Sequence, residues 1–376
     1  MTKKKLLIFH PALAPYRIDQ FNSLSELFDL TVVFIFANLW NHKFNQTELL
    51  SQVKFKYSFL LIGPQYKGRV FRFGMLHTIK KINPDIILAY EYSFTTLYLI
   101  LLKYLGILKQ KLGSSVDDSI DICIQPQSKI RHFARKIATK QLDFLVLLSL
   151  EVSSFYQDKF RLPDNQLIIS PILQNAERLR SHSNQLEAIA KSYVIEYSLK
   201  EKKVLLFVGR FIHEKALSRF IISISTQLHE HQNLIVVLVG DGVERKFIEA
   251  LIVEKELKDQ IILPGRIEGK ELYAWYLCAS GFVLPSTYEP FGAVVNEALI
   301  FGLKVLCSKY AGASILIKPD NGILFDPLSK NDTCSKLLEF SRIINQVDRI
   351  DMKEKPSLMS DHQNEFINEW GKILND

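Results

Sequence analysis

Two cations stand close together in the second half of the chain, directly after a short apolar run. The run at 204–208 is followed by Gly209, Arg210 and, five residues later, Lys215. A guanidinium offers two parallel hydrogen bonds to a phosphate, and an ammonium adds a mobile point charge. Such a pair can neutralise a departing diphosphate without a metal ion. Two solvated cations at this spacing are the ordinary alternative.

Two carboxylates flank a glycine after another apolar run, 281–284. Glu289 and Glu297 lie on either side of Gly292, where a predicted helix at 293–301 begins. A glycine there lets a phosphate approach the free backbone N–H groups at the helix start, and the helix dipole favours anions. The carboxylates can then accept hydrogen bonds from sugar hydroxyls. Taken singly, Glu289 could equally be a first-turn dipole residue and Glu297 a solvent-facing helix position.

The order of these motifs resembles that of retaining glycosyltransferase family 4, the group 1 glycosyltransferases, whose fold of two Rossmann-like domains is called GT-B. The marker of that family, two glutamates separated by seven residues, stands here as EPFGAVVNE at 289–297. Other pieces follow in the family's order: Val-Gly-Arg at 208–210, Gly-Asp-Gly at 240–242, Leu-Pro-Gly at 263–265 and Asn-Gly at 321–322. The resemblance covers nearly the whole chain.

The resemblance implies residue roles and a reaction. Glu289 would contact the transferred sugar and Glu297 the ribose, while Arg210 and Lys215 hold the diphosphate. The implied reaction moves a sugar from a UDP- or GDP-linked donor to a saccharide or lipid-linked acceptor with retention of anomeric configuration. It implies no metal and no cofactor. Besides Glu297, the predicted nucleotide-sugar contacts, which include backbone groups that read the base, are Gly209, Arg266, Ile267, Pro290, Phe291 and Gly292.

The first half of the chain departs from the best-known pattern of that family. Its first predicted loop, HPALAPYR at 10–17, lacks the usual glycine pair. Arg17 either binds an acceptor or donor phosphate, or pairs with an acidic residue of its own helix. Asp117 or Asp118, in an acidic run after a predicted core helix, is the candidate contact to the acceptor. A solvated loop explains that run equally well.

Apolar runs of strand length alternate with segments of helical periodicity through residues 6–170 and again through 204–307. This alternation predicts βαβ units, whose parallel sheets bind ligands beyond the carboxyl ends of the strands. We therefore predict an α/β protein of two Rossmann-like, doubly wound domains that face each other across a cleft. The predicted bounds are 1–183 for the acceptor-side domain, 184–360 for the donor-binding domain and 361–376 for a C-terminal helix that could pack on either.

The charge of the chain is unevenly distributed. Residues 1–190 hold 24 Lys and Arg against 15 Asp and Glu, whereas residues 191–376 hold 23 against 25. A basic first domain suggests an anionic partner such as a phospholipid surface, and a merely solvated face accounts for it equally well. No nucleic-acid-binding motif accompanies this charge. The basic and aromatic residues at 66–73 would also suit a membrane surface.

The remaining sequence features bear on the compartment. Four scattered cysteines form no metal-binding pattern and suit a reducing environment. The most apolar stretch, 95–108, is shorter than a membrane-spanning helix and is interrupted by Lys103. The start of the chain has a short apolar run without a small-residue cleavage site. We expect a cytoplasmic protein that can associate peripherally with the inner face of the membrane.

Two other functions share the alternation of strands and helices. An NAD-dependent oxidoreductase would need G-x-G-x-x-G after its first strand. The first loop lacks it, and the glycines at 240–242 follow an internal strand and lack the third glycine. The other alternative is a non-catalytic relative that binds a nucleotide sugar or saccharide, which turnover of a donor would exclude.

Overall fold

The computed structural model describes residues 2–39, 44–66, 69–124, 129–347, 355–359 and 363–374. The chain divides into two compact units, of which the first comprises Met1–Gln174 and Asp361–Asp376 and the second Asn175–Ser360. The first unit therefore ends at Gln174, the first residue of the polar segment 174–183. The C-terminal segment is part of the first unit.

The strands and helices alternate along both units. The strands are β1 Lys5–His10, β2 Asp29–Phe34, β3 Lys56–Phe59, β4 Gln65–Tyr66, β5 Arg69–Val70, β6 Ile86–Tyr90, β7 Lys111–Val116, β8 Phe144–Leu147, β9 Leu167–Ile169, β10 Lys203–Val208, β11 Leu234–Val239, β12 Ile261–Gly265, β13 Gly281–Leu284, β14 Lys304–Ser308 and β15 Gly322–Phe325. The helices are α1 Pro15–Leu27, α2 Gln46–Leu50, α3 Met75–Ile82, α4 Phe94–Tyr104, α5 Ile120–Ile124, α6 Lys129–Gln141, α7 Leu150–Phe160, α8 Ala176–Leu179, α9 Ser183–Glu196, α10 Leu217–Glu230, α11 Arg245–Glu254, α12 Gly269–Cys278, α13 Val294–Ile300, α14 Lys330–Ile343 and α15 Gln363–Leu374.

Each unit is built on one parallel sheet. The first sheet has the strand order β3-β2-β1-β6-β7-β8-β9, and the second has the order β12-β11-β10-β13-β14-β15. In both, the first strand of the unit lies inside the sheet, and the chain winds outward from it in both directions. The loops after β1 and β6, and after β10 and β13, therefore lie at switch points, where ligands bind in sheets of this kind. The predicted doubly wound α/β class is confirmed.

Three strands of the two parallel sheets, β3, β7 and β15, were not predicted, nor was the two-stranded antiparallel sheet of β4 and β5. Strand β7 reads KLGSSV, and its glycine and serines give no apolar run. Gly113 is required there, because an added Cβ would lie 2.3 Å from the ring of Phe144 on the neighbouring strand. The predicted core helix is observed as α4, and β7 lies between it and the acidic run, so that Asp117 follows a strand directly. That places Asp117 and Asp118 at the carboxyl edge of the sheet.

The C-terminal helix α15 buries its predicted apolar positions, Phe366, Trp370 and Ile373, in the core of the first unit. The Trp370 indole donates a hydrogen bond of 3.2 Å to the Ser170 hydroxyl. The ring also packs edge-on against Phe28, with 6.2 Å between centroids. Chain distant in sequence thus completes the first core. Within the described ranges, no helix is long and apolar enough to cross a membrane.

Replacement of Trp370 by Ala should lower the free energy of unfolding by about 3 to 5 kcal/mol, because a buried indole and its hydrogen bond are lost. Urea unfolding monitored by circular dichroism measures this loss. The matched control is Ile367→Ala on the same helix, where the side chain is 39% exposed. Equal midpoints for the two variants would show that α15 does not support the first unit.

Candidate active site

The two loops that carry the strongest motifs lie side by side in the second unit. Strands β10 and β13 pair in parallel, with Leu205 opposite Gly281. Their carboxyl ends emerge at the same edge of the sheet, so the loop that begins at Gly209 meets the loop that begins at Pro285. The backbone N–H of Thr287 donates a 2.9 Å hydrogen bond to the carbonyl of Glu214 and joins the two loops.

An ion pair links these loops at their functional residues. The Lys215 ammonium donates a hydrogen bond to the Glu289 carboxylate. The side chains are only 14% and 13% exposed, so each charge has lost much of its water and depends on the other. Lys215 ends a short 3-10 turn, His213–Lys215, which aims it at the neighbouring loop. The structure therefore brings these two predicted residues into direct contact.

The backbone of Glu289 is also held from the opposite side, by the loop after β14. Gly312 donates to the carbonyl of Glu289 at 3.0 Å, and Ala313 donates to that of Phe291 at 2.6 Å. A Cβ on Gly312 would lie 2.1 Å from the carbonyl oxygen of Pro290, so only glycine allows this approach. Glu289, Pro290 and Phe291 are therefore fixed between two loops.

Gly292 takes a left-handed conformation, with φ of +95°. A Cβ at this position would come within 2.8 Å of the Leu284 side chain, so glycine is required by conformation and by space. The helix that follows is α13, and Val295 N–H donates to the Gly292 carbonyl at 2.9 Å. Gly292 thus lies two residues before Val294, the first residue of α13, and Ala293 is the N-cap.

Glu297 is buried on α13, so a solvent-facing position, the ordinary alternative for this residue, is wrong. Its carboxylate accepts a 2.8 Å hydrogen bond from the hydroxyl of Tyr276. Tyr276 stacks on Phe301 with 5.5 Å between ring centroids. Burial, together with the negative charge of Glu297, raises the pKa of Tyr276 well above its ordinary value, so this phenol remains a donor. Sequence reasoning missed Tyr276, which no spacing rule links to α13.

The other predicted nucleotide contacts fall into two groups, one close to the Lys215–Glu289 pair and one further along the sheet. Arg210 is exposed, and its side chain has no hydrogen-bond or ion-pair partner in the described part of the chain. Arg266 pairs with Glu268, and it and Ile267 follow β12, which β11 separates from β10. The structure therefore places Gly209 and Arg210 on the loop of Lys215 and sets Arg266 and Ile267 apart.

The glycines at 240–242 have a structural explanation. A Cβ on Gly240 would lie 1.8 Å from the carbonyl oxygen of Gly209, and one on Gly242 would lie 2.4 Å from that of Phe211. Phe211 N–H also donates to the carbonyl of Asp241 at 2.8 Å. These glycines let the loop after β11 pack on the loop after β10. This agrees with their interpretation as a tight structural turn.

A second polar cluster lies in the first unit, at the ends of β1, β6 and β7. The buried Arg17 guanidinium donates to the Asp117 carboxylate and to the Gln20 side chain. Tyr90 donates its hydroxyl to the same carboxylate at 3.0 Å. Arg17 therefore forms its described ion pair with Asp117, which follows β7, and not with an acidic residue of its own helix α1. Asp118 pairs separately, with Arg135 on α6.

Two residues of this cluster, His10 and Glu91, were not predicted. Glu91 has a positive φ of 54°, and its carboxylate accepts a 3.0 Å hydrogen bond from the Asp117 N–H. Burial, followed by the charges of Asp117 and Asp118, raises the pKa of Glu91 to about 8. Burial, followed by the charge of Arg17, lowers the pKa of His10 to about 3, so this imidazole is neutral. Because β7 was not predicted, these residues could not be placed together from the sequence.

Across the residues that the structure describes, no three His, Cys, Asp or Glu side chains come together as they would around a metal ion.

Comparison with known proteins finds a family model that matches most of the second unit. Residues 193–347 match the model of "Glycosyl transferases group 1", and this range contains both site loops. The chain is 33% identical over 128 residues to an uncharacterised glycosyltransferase of Methanocaldococcus jannaschii, covering 34% of this chain and 33% of the relative. It is 33% identical over 135 residues to a 2-deoxystreptamine N-acetyl-D-glucosaminyltransferase of Niallia circulans, covering 35% and 34%.

These curated relatives are matched over only about a third of their own length, 33% and 34% in the two cases. Within residues 193–347 the chain matches the group 1 glycosyltransferase model, and the resemblance of the motifs is confirmed.

Solved structures extend the likeness to the whole fold. A glycosyltransferase from Rickettsia africae aligns with a TM-score of 0.69 and 13% identity, over 100% of this chain and 94% of that chain. HepE of Anabaena, solved with UDP, aligns with a TM-score of 0.67 and 14% identity, over 99% and 96%. The two-unit α/β fold is therefore that of GT-B glycosyltransferases.

The first-unit cluster predicts a distinct pH dependence of stability. Folded Glu91 keeps its proton to about pH 8, whereas its ordinary pKa is 4.5. Its contribution to stability is therefore complete below pH 4.5 and is lost as the pH rises through about 8. Glu91→Gln cannot ionise, so between pH 5 and 8 the wild type should lose roughly 1 to 3 kcal/mol relative to the variant.

Urea unfolding of the two proteins across that pH range measures the difference. The exposed Glu151 provides the control, since Glu151→Gln should run parallel to the wild type. Parallel curves for Glu91→Gln would mean that Glu91 ionises normally in the folded protein.

Proposed function

We propose that this protein is a retaining glycosyltransferase that moves a sugar from a UDP- or GDP-linked donor to a saccharide or lipid-linked acceptor. The supporting observation is the Lys215–Glu289 ion pair, which stands at a sheet switch point inside the part of the chain that belongs to the group 1 family. The whole-chain likeness to a protein solved with UDP is consistent with such a donor. Cell-surface polysaccharide or glycolipid synthesis is the process we propose.

The ion pair suggests how a donor would be held. A diphosphate carries more negative charge than one carboxylate, so it competes with Glu289 for the Lys215 ammonium. Exposed Arg210, on the same loop, adds a second cation. Together they stabilise the charge that develops on the leaving diphosphate, which lowers the barrier to transfer. Two cations in these positions supply the charge that a metal ion would otherwise supply.

Release from Lys215 leaves the Glu289 carboxylate to accept hydrogen bonds from hydroxyls of the transferred sugar. We assign Glu297 to the ribose, with Tyr276 fixing the orientation of its carboxylate through their 2.8 Å hydrogen bond. Base recognition falls to the backbone around Arg266 and Ile267. No covalent intermediate is invoked: the acceptor hydroxyl attacks from the face that the diphosphate leaves, and its proton passes to the departing phosphate.

We assign the acceptor to the first unit, where Asp117 and Asp118 follow β7 directly. Arg17 helps by orienting the Asp117 carboxylate, since their ion pair occupies the guanidinium. The excess of basic residues in this unit suggests that the reaction takes place at the cytoplasmic face of a membrane. A non-catalytic protein that binds a nucleotide sugar is the alternative, and turnover of a donor separates the two.

Lys215→Ala should weaken UDP or GDP binding by about 1.5 to 3 kcal/mol, the value of a charge-assisted hydrogen bond. Isothermal titration calorimetry in EDTA measures this change and also tests metal independence. Lys304 provides the control, because it begins β14 at the opposite edge of the sheet. Glu289→Gln should bind UDP at least as tightly as the wild type, because its Lys215 is no longer neutralised. Equal affinity in Lys215→Ala and wild type would refute the assignment.

Replacement of the two glutamates should affect different kinetic constants. Glu289→Gln should lower kcat more than it raises the KM for the donor, because contacts at the reacting sugar can strengthen in the transition state. Glu297→Gln should mainly raise KM, since a ribose contact is equal in both states. Initial-rate assays with a donor that the wild-type protein turns over measure kcat and KM. A shared rise in KM with kcat intact in both variants would contradict the division of roles.

A further inference from the structure

One long stretch of the first unit has an extreme composition. Residues 49–84 contain seven Lys and Arg and six Phe and Tyr, without one Asp or Glu. The stretch includes the edge strand β3, the loop that follows it and helix α3. The charge excess of the first unit is therefore concentrated in one stretch of its sequence.

The apolar residues of this region point outward to an unusual degree. Ile62 is 78% exposed and Phe73 is 57% exposed. Tyr57, Phe59 and Leu61 are also exposed, and all four residues of β3 lie at the surface. Exposed cations accompany them, so that the basic aromatic surface consists of Tyr57, Phe59, Leu61, Ile62 and Phe73 with Lys54, Lys56, Lys80 and Lys81.

Hydrogen bonds hold together the two segments that carry Ile62 and Phe73. Phe73 N–H donates to the carbonyl of Ile62 at 2.9 Å, which joins the two arms of the loop. Buried Arg72 donates to the carbonyls of Leu61 at 2.8 Å, Gly63 at 3.2 Å and Ile35 at 2.8 Å. The buried Arg72 guanidinium thus holds the backbone on both sides of Ile62. The exposure of Ile62 and Phe73 therefore follows from the fold.

We propose that the basic aromatic surface docks this protein on an anionic lipid bilayer. Aliphatic and aromatic side chains enter the headgroup region, and surrounding lysines attract the negative surface. Residues 49–84 contain no carboxylate. Lys56 pairs with Asp29 at 2.8 Å, and the exposed Lys54, Lys80 and Lys81 favour an anionic occupant. A second copy of the chain would bring the same lysines together, and lysines beside an edge strand oppose pairing of that edge. The proposal rests on the proposed function only for the biological purpose of docking.

The test is vesicle sedimentation of the full-length protein with phosphatidylcholine alone and with phosphatidylcholine mixed with phosphatidylglycerol. Two variants remove the two components: Ile62→Ser, and Lys80→Gln combined with Lys81→Gln. Matched controls lie in the second unit: Val243→Ser, at a side chain that is 89% exposed, and Lys246→Gln combined with Lys258→Gln. All four variants change exposed residues, and thermal unfolding confirms their folding.

We expect binding to the mixed vesicles and little to phosphatidylcholine. Binding should fall about tenfold in Ile62→Ser and about thirtyfold at low salt in the double lysine variant, with both controls unchanged. The proposal is overturned if the mixed vesicles are not preferred or if the controls lose as much binding. It is also overturned if Ile62→Ser converts a dimer to a monomer in sedimentation velocity while vesicle binding stays.

UDP calorimetry on the same proteins separates this inference from the proposed function. None of the four variants alters the residues assigned to the donor, so their UDP affinity should equal that of the wild type. UDP binding without vesicle binding overturns the docking surface alone. Vesicle binding without UDP binding leaves the docking surface and overturns the proposed donor site.

Discussion

The ion pair between Lys215 and Glu289 is the interaction on which the proposed donor site depends. Opposite charges with most of their surface buried each need a polar partner, because removal of either one without a replacement leaves the other unpaired in a poorly solvated position. The pair exists because β10 and β13 are neighbours at the switch point of the sheet, which brings together loops 74 residues apart along the chain. Gly292 and Gly312 then allow the backbone around Glu289 to take the shape that keeps its carboxylate there.

The first unit uses the same principle with a different charge balance. Its strand ends hold two ion pairs, Arg17 with Asp117 and Arg135 with Asp118, in which each cation is matched by a carboxylate. Protonated Glu91 and neutral His10 add no charge near pH 7. The cluster is therefore close to neutral, which agrees with a saccharide hydroxyl as its ligand better than with a phosphate. The positive charge of this unit is concentrated instead at 49–84, where Lys54, Lys56, Lys80 and Lys81 are exposed.

Sequence reasoning succeeded where local patterns determine the structure. Uninterrupted apolar strands such as β11 and β13 were found at their observed bounds, and the order of motifs led to the family of the second unit. It failed where a strand is shaped by its neighbour, as at β7, whose Gly113 makes room for Phe144. The edge strand β3, KYSF, was also missed, although it alternates polar and aromatic residues. The contacts of Glu297 with Tyr276 and of Asp117 with Glu91 depend on tertiary packing and leave no spacing to detect.

Crystals of this protein grown with UDP, or with GDP, test the central claim most directly. The account predicts diphosphate density against the Lys215 ammonium, near Arg210 and the Gly292 backbone, with the Glu289 carboxylate displaced from Lys215. Nucleotide bound elsewhere, with the Lys215–Glu289 pair intact, would contradict it, because the pair would then be structural and not the donor site.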